Sequence, residues 1–217
     1  MFFKDRAEAA GLLAEKLSGY RGRTPLILAI PRGAVPMAEA IAEALDGDLD
    51  VVLVHKLAAP GQPELAIGSV DEKGHVYLGE YAGRLGVGDE YIVREKKAQM
   101  TVLRSRRARY TPVHPAVDPS GRVVIVVDDG IATGATMVAS LRTVRARKPS
   151  KLIAATAVAS REALPMIQEL ADEVVCLEVP EVFYAVGQFF LEFPQVSDEE
   201  VITILKRSRS RTGNLKR

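Results

Sequence analysis

Short unbroken apolar runs alternate with amphipathic stretches along this chain. The runs at 26–30 (LILAI), 50–56 (DVVLVHK), 123–129 (VVIVVDD), 151–160 (KLIAATAVAS) and 173–179 (EVVCLEV) predict five strands. Between them, Ala7, Ala10, Leu13 and Leu17 recur at helical spacing over 4–17, and Ser18-Gly19 stops that pattern. VPMAEAIAEAL (35–45) and the segments near 135–147 and 161–171 also predict helices. A longer helix is predicted over 88–110, with Asp89 near its start and arginines toward its end, as the helix dipole favours. Continuous apolar strands alternating with helices predict an α/β chain whose mostly parallel sheet is covered on both faces, because crossover helices coat each side.

The pattern breaks at 57–88, where Pro60, Gly61 and Pro63 interrupt the chain. AIGSV (66–70) and HVYLG (75–79), joined by DEKG, predict an inserted hairpin, read as mobile. From Ser197 the spacing predicts a short helix, and KRSRSRTGNLKR (206–217) a frayed basic tail. With no repeat and no low-complexity tract, the whole of 1–217 reads as a single domain with a core at about 24–180.

Composition narrows the classes. At 47% hydrophobic, 26% charged and net charge +1, the chain is neither disordered nor drawn as a whole to nucleic acid. Cys176 is the one cysteine, which excludes a disulfide scaffold and a cysteine zinc site; within EVVCLEV it reads as a small buried hydrophobe. Charges at positions 4, 5, 6 and 8 argue against a signal peptide. No apolar run approaches the roughly 20 residues that cross a bilayer, so no membrane partner is expected and a cytoplasmic protein is the default expectation.

The candidate chemistry sits in VVIVVDDGIATGATM (123–137). In an open parallel sheet, ligands gather at the carboxyl ends of strands, which is where Asp128 and Asp129 fall. Gly130, Ile131, Ala132, Thr133, Gly134, Ala135 and Thr136 then turn into a helix, where free backbone N–H groups, small side chains and two hydroxyls suit a phosphate. GxxxxGK[ST] is absent, so this is no nucleotide-hydrolysing P-loop. Two acids would repel a lone phosphate. They suit a ribose 5-phosphate, whose hydroxyls donate to them and whose developing oxocarbenium charge they stabilise.

VIVVDDGIATGATM resembles the type I phosphoribosyltransferase motif: four apolar residues, two acids, three variable positions, then Thr-Gly-x-Thr. The resemblance implies that Asp128 and Asp129 bind the ribose hydroxyls of phosphoribosyl pyrophosphate (PRPP), reaching magnesium through waters, and that residues 130–136 hold its 5-phosphate. IPRGAVP (30–36) is similar to the family's pyrophosphate loop, with Arg32 and Gly33 as pyrophosphate ligands and a non-proline cis peptide that the family often carries there. Lys56 resembles the family's lysine at the start of its mobile loop, again on pyrophosphate. The implied fold is a three-layer α/β/α, phosphoribosyltransferase-like domain, with strands 26–30 and 123–128 adjacent and the inserted hairpin as an antiparallel edge. The implied reaction is displacement of pyrophosphate from PRPP by a nitrogenous acceptor, with magnesium as cofactor, Asp128, Asp129, Arg32 and Lys56 as catalytic residues, and 57–88 as a lid hinged at Pro60-Gly61 and Gly68.

One departure matters. Where hypoxanthine-type members carry an aspartate, this chain has Ala132, so any general acid or base must come from elsewhere; Glu64, Asp71, Glu72 and His75 in the lid are the candidates, although a surface role is the simpler reading of His75. In 179–190, Phe183 and Tyr184 are candidates to stack on a base, against the alternative that they pack the C-terminal segment. Two other readings stay open. A PRPP-sensing regulator would use the basic segment 94–109 and the tail on RNA or DNA, although an exposed helix whose basic stems cover apolar surface is the simpler account. A different sugar-phosphate binder or hydrolase would explain the cradle but leave Arg32 and Lys56 coincidental. The sequence names neither the acceptor nor the oligomeric state, and a homodimer is compatible with it.

Overall fold

The computed structural model describes residues 2–215; the side chains of 63–64, 80–81 and 210–215 lie outside that description, and with them the candidate Glu64. After the N-terminal helix α1 (Arg6–Lys16) come strand β1 (Leu26–Ala29), helix α2 (Val35–Leu45) and strand β2 (Asp48–Val51). Strands β3 (Val54–Ala59), β4 (Gln62–Asp71) and β5 (Val76–Leu78) follow, then the short α3 (Glu80–Arg84) and the long α4 (Asp89–Tyr110). The second half runs β6 (Val123–Asp128), α5 (Ala135–Arg145), β7 (Lys151–Val158), α6 (Leu164–Gln168), β8 (Glu173–Glu178) and α7 (Asp198–Leu215).

Five strands form an all-parallel sheet in the order β2-β1-β6-β7-β8. Its buried residues divide by alternation, as a pleat with a period of two requires. Ile27, Ala29, Ile125, Val127, Ile153 and Ala155 pack with α1 and α2, whereas Leu26, Leu28, Val124, Val126, Leu152 and Ala154 pack with α5 and α6. Each fully buried aliphatic side chain contributes roughly 1.5–3 kcal/mol. The chain leaves β1 in one direction toward β2 and in the other toward β6, so the order reverses between β1 and β6. Ala29 and Val127 lie side by side in register there, and the loops after both strands open into the same crevice.

The antiparallel strands make a sheet of their own, β3-β4-β5, rather than an edge to the parallel one. The run 50–56 is two strands, not one: the chain leaves the parallel sheet after Val51 and enters the small sheet at Val54. Lys56 therefore lies inside antiparallel β3, opposite Ser69, and not at a parallel strand end. The hairpin turn does follow DEKG, closed by Gly74 N–H donating to Asp71 O at 2.9 Å and Asp71 N–H donating to His75 O at 3.1 Å. The small sheet packs against α4 and α5, with Leu57, Ile67 and Val70 fully buried, so its root belongs to the core.

The C-terminal segment corrects a second expectation. Instead of fraying after a short helix, α7 continues to Leu215, while 216–217 lie outside the described residues. An apolar stripe of Val201, Ile204 and Leu205 is buried, α7 packs on α2 and β2, and Arg207 pairs with Glu39 at 2.8 Å. Tertiary contact thus anchors the first half, 198–207, of a helix that polar composition alone would leave marginal. Among the described residues, no helix is long and apolar enough to cross a membrane.

Candidate functional site

The acid pair stands at the carboxyl end of β6. Asp129 backbone N–H donates to Asp128 Oδ1 at 2.9 Å, so the Asp128 carboxylate turns back onto the main chain of its neighbour. Asp128 is only partly exposed, and that burial, followed by the charge of Asp129, pushes its carboxyl well above the usual carboxylate range. Beyond the pair, Ile131 N–H donates to Val158 O at 2.8 Å and Ser160 N–H donates to Ile131 O at 2.9 Å, so the turn is stitched across β7. Ser160 Oγ donates to Ala132 O at 2.6 Å. Gly134 precedes α5 with φ +79°, a left-handed conformation that favours glycine, and a Cβ there would lie 3.2 Å from Ala163 Cβ. No side chain caps α5, while Ala132 and Thr133 are exposed, so the helix start faces outward with its first N–H groups available.

The β1–α2 loop lies against the same acids. The Pro31–Arg32 peptide is cis, the feature that the family resemblance implies. A Cβ on Gly33 would sit 2.1 Å from Asp129 Oδ2, so only glycine lets this loop approach so closely. Arg32 is 39% exposed at its side chain, and its Nη1 is 3.9 Å from Asp198 Oδ2 at the start of α7.

Two residues that sequence reasoning missed complete the surroundings. Arg6, from the first turn of α1, donates to Asp129 Oδ2 from Nε at 2.9 Å and approaches it from Nη2 at 2.8 Å. A cation in the first turn opposes the helix dipole, and that anomaly was its one signal in the sequence. Asp198 accepts from Tyr110 Oη at 2.8 Å and Arg109 Nη1 at 2.9 Å, besides facing Arg32. Burial and then this carboxylate push the Tyr110 hydroxyl up to about 12.

A cavity of about 1170 Å³ opens between the phosphate-type turn, the small sheet and the segment after β8. Ala132, Thr133 and Ala135 line one side, Ser69 and Tyr77 another, and Phe183 and Tyr184 a third. The structure thus brings the turn and both candidate aromatics to one space; the acid pair, Arg32 and Lys56 are not among its lining residues. Phe183 also packs on Phe189, ring centroids 5.3 Å apart, whereas Tyr184 is 87% exposed. Of the lid candidates, Asp71 caps the hairpin turn through the N–H groups of Lys73 and His75 and contacts His75 Nδ1 at 2.9 Å; Glu72 pairs with Arg107 at 2.6 Å. Asp71 thus closes the hairpin on itself, and Glu72 ties it to α4. Cys176 is half-buried, and burial pushes its thiol up to about 11, which suits the packing reading and not a nucleophile.

For a magnesium ion the donor set is spare: among the described residues no cluster of three ligand-type side chains exists. Two adjacent carboxylates fit magnesium nonetheless, because this ion keeps several waters and takes only one or two protein carboxylates beside substrate phosphates.

The family model for the phosphoribosyl transferase domain matches residues 4–194. Two Mycobacterium tuberculosis proteins whose names describe them as phosphoribosyl transferases, in strains CDC 1551 and H37Rv, are each 38% identical over 209 residues, covering 95% of this chain and 47% of their own. The chain therefore spans about half the length of the curated relatives it matches. The crystal structure of TT1426 from Thermus thermophilus superimposes with a TM-score of 0.85 at 46% identity, covering 95% of this chain and 99% of that one.

Proposed function

Because the chain belongs to the phosphoribosyl transferase domain family, we propose that it transfers the phosphoribosyl group of PRPP to a nitrogen nucleophile, a nucleobase in the first instance, with release of pyrophosphate and magnesium as cofactor. The observation that carries this reading is the joint placement, at the reversal point of the sheet, of the Asp128–Asp129 pair, the outward-facing turn into α5 and the Gly33 loop.

In this reading the N–H groups of 132–136, with the hydroxyls of Thr133 and Thr136, hold the 5-phosphate, while the Ile131 N–H stays on Val158 O. Asp128 and Asp129 accept from the ribose hydroxyls and stabilise positive charge as the C1–O bond lengthens. Arg32, Gly33 and Lys56 receive the pyrophosphate, which departs with the bonding electron pair while the acceptor nitrogen forms the C1–N bond and releases its proton. Phe183 and Tyr184 border the cavity where a planar acceptor would stack. Asp128 and Asp129 would hold magnesium through waters, and the ion, when bound, supplies neutralisation of the leaving group. Water competes as a nucleophile, so the small sheet, which already walls the cavity through Ser69 and Tyr77, would shield the reaction.

Titration calorimetry with PRPP and magnesium tests the reading on the wild type and on Asp128→Asn combined with Asp129→Asn. Binding that the double substitution abolishes is expected; no wild-type heat, or an indifferent double variant, defeats the reading. Pyrophosphate release across a panel of bases then separates turnover from a PRPP-sensing role on RNA or DNA.

A further inference from the structure

We propose that Arg6 is a positioning residue for the phosphoribosyl site: its ion pair with Asp129 fixes the aim of that carboxylate and forms the floor on which the Gly33 loop rests. The inference builds on the function proposed above. Arg6 is only 10% exposed at its side chain, and its guanidinium is held on every side. Nε and Nη2 both reach Asp129 Oδ2, Nη1 donates to Pro194 O at 2.7 Å, and the Phe193 ring covers the planar face with 3.7 Å from Cζ to the ring centroid. A guanidinium engaged in this way cannot rotate without losing several contacts at once.

Tethering the N-terminal segment to the stretch after β8 does not require such a group. Phe3 N–H already donates to Phe189 O at 2.8 Å, and Leu191 N–H to Phe3 O at 2.9 Å. Phe3 and Phe190 pack beside them, with ring centroids 5.4 Å apart. An apolar side chain at position 6 would add to that seam without desolvating a charge, which is costly unless the charge has a fixed partner. Arg6 instead reaches past the seam to the carboxylate at the end of β6, 123 residues along the chain. With Oδ2 claimed by Arg6, the other oxygen of Asp129 is the one presented to a ligand. The same pair sits directly under the neighbouring loop: a Cβ on Gly33 would lie 2.1 Å from Asp129 Oδ2 and 3.1 Å from Arg6 Nη2. One guanidinium therefore sets the spacing between the residues assigned to ribose and those assigned to pyrophosphate.

The test is PRPP titration calorimetry with magnesium, paired with thermal melting, on wild type, Arg6→Gln, Arg6→Lys, Asp129→Asn, Arg6→Gln with Asp129→Asn, and Val144→Ala. Arg6→Gln is expected to raise the PRPP Kd roughly ten- to hundredfold, the range for losing hydrogen bonds to a charged group. Arg6→Lys recovers only part, since an ammonium cannot fork around the carboxylate. The double variant binds no worse than Asp129→Asn, and Val144→Ala, in the buried last turn of α5, lowers the melting temperature while keeping the affinity. An Arg6→Gln protein that binds like wild type overturns the inference alone; so does full additivity in the double variant, or a Val144→Ala protein that loses affinity in step with its stability. A wild type that gives no PRPP heat removes the proposed function, and the inference with it.

Discussion

Replacing Gly33 by alanine adds one methyl group at the tightest point of the site. The new Cβ would lie 2.1 Å from Asp129 Oδ2, 2.9 Å from its Cγ and 3.1 Å from Arg6 Nη2. Contacts that short do not persist, so either the loop or the carboxylate moves. The carboxylate is not a loose end, because Arg6 grips it at 2.9 and 2.8 Å. Overpacking a close-fitted position costs about 1–3 kcal/mol, and hydrogen bonds to a charged group are worth about 1.5–3 kcal/mol. The two penalties are alternatives, since a carboxylate that swings away relieves the clash; about 2 kcal/mol in total is the expected loss. For a chain of this size that lowers the melting temperature by roughly 4–8 °C. If the same displacement disables Asp129 toward ribose, the PRPP Kd rises about thirtyfold, at about 1.4 kcal/mol per factor of ten. Calorimetric melting and PRPP titration of Gly33→Ala measure both. A variant that melts and binds like wild type would refute the reasoning, because it would mean that the loop yields freely and that the contact with Asp129 constrains nothing.

Two further outcomes follow from the electrostatics. Asp128 has a carboxyl raised in the folded protein, so its contribution to stability is fully present below its unfolded pKa and is lost as pH rises through the folded value. Urea denaturation at pH 5 and pH 8 should therefore show Asp128→Asn gaining stability relative to wild type at the higher pH; a difference independent of pH would contradict the burial of that charge. Asp198→Ala leaves the fully buried Tyr110 hydroxyl without its acceptor, at about 1–3 kcal/mol. Tyr110→Phe in the same background should restore most of the lost melting temperature, and its failure to do so would place the damage elsewhere, in the contacts of Asp198 with Arg109 or Arg32.

Much of this architecture was readable because it rests on local rules. The helix 35–45 was bounded by the turn ahead of it and by its own apolar stripe, and the acids at 128–129 follow an apolar run that has nowhere to go but a strand. The passage from β2 to β3 was illegible for a physical reason: Val52, Leu53 and Val54 are buried whichever sheet they serve, so hydropathy does not change where the chain switches partners. The extent of α7 was hidden because its stability comes from α2 and β2, elements far away in sequence. Arg6 and Asp198 were missed for the same reason. Each acts through partners more than 80 residues distant, and no window along the chain contains both halves of either contact.

The alternating faces of β6 carry a further consequence: parity gives the first acid a side and leaves the second free of it. Even positions, Val124 and Val126, turn toward the layer of α5, and odd ones, Ile125 and Val127, toward the layer of α1. Asp128, the last strand residue, falls by count to the side of the turn that would cradle phosphate; Asp129 lies one position beyond β6 and is held instead by Arg6. Adjacent and chemically identical, they are not interchangeable: deleting a single residue from β6 would turn the strand's interior inside out and carry Asp128 to the other face.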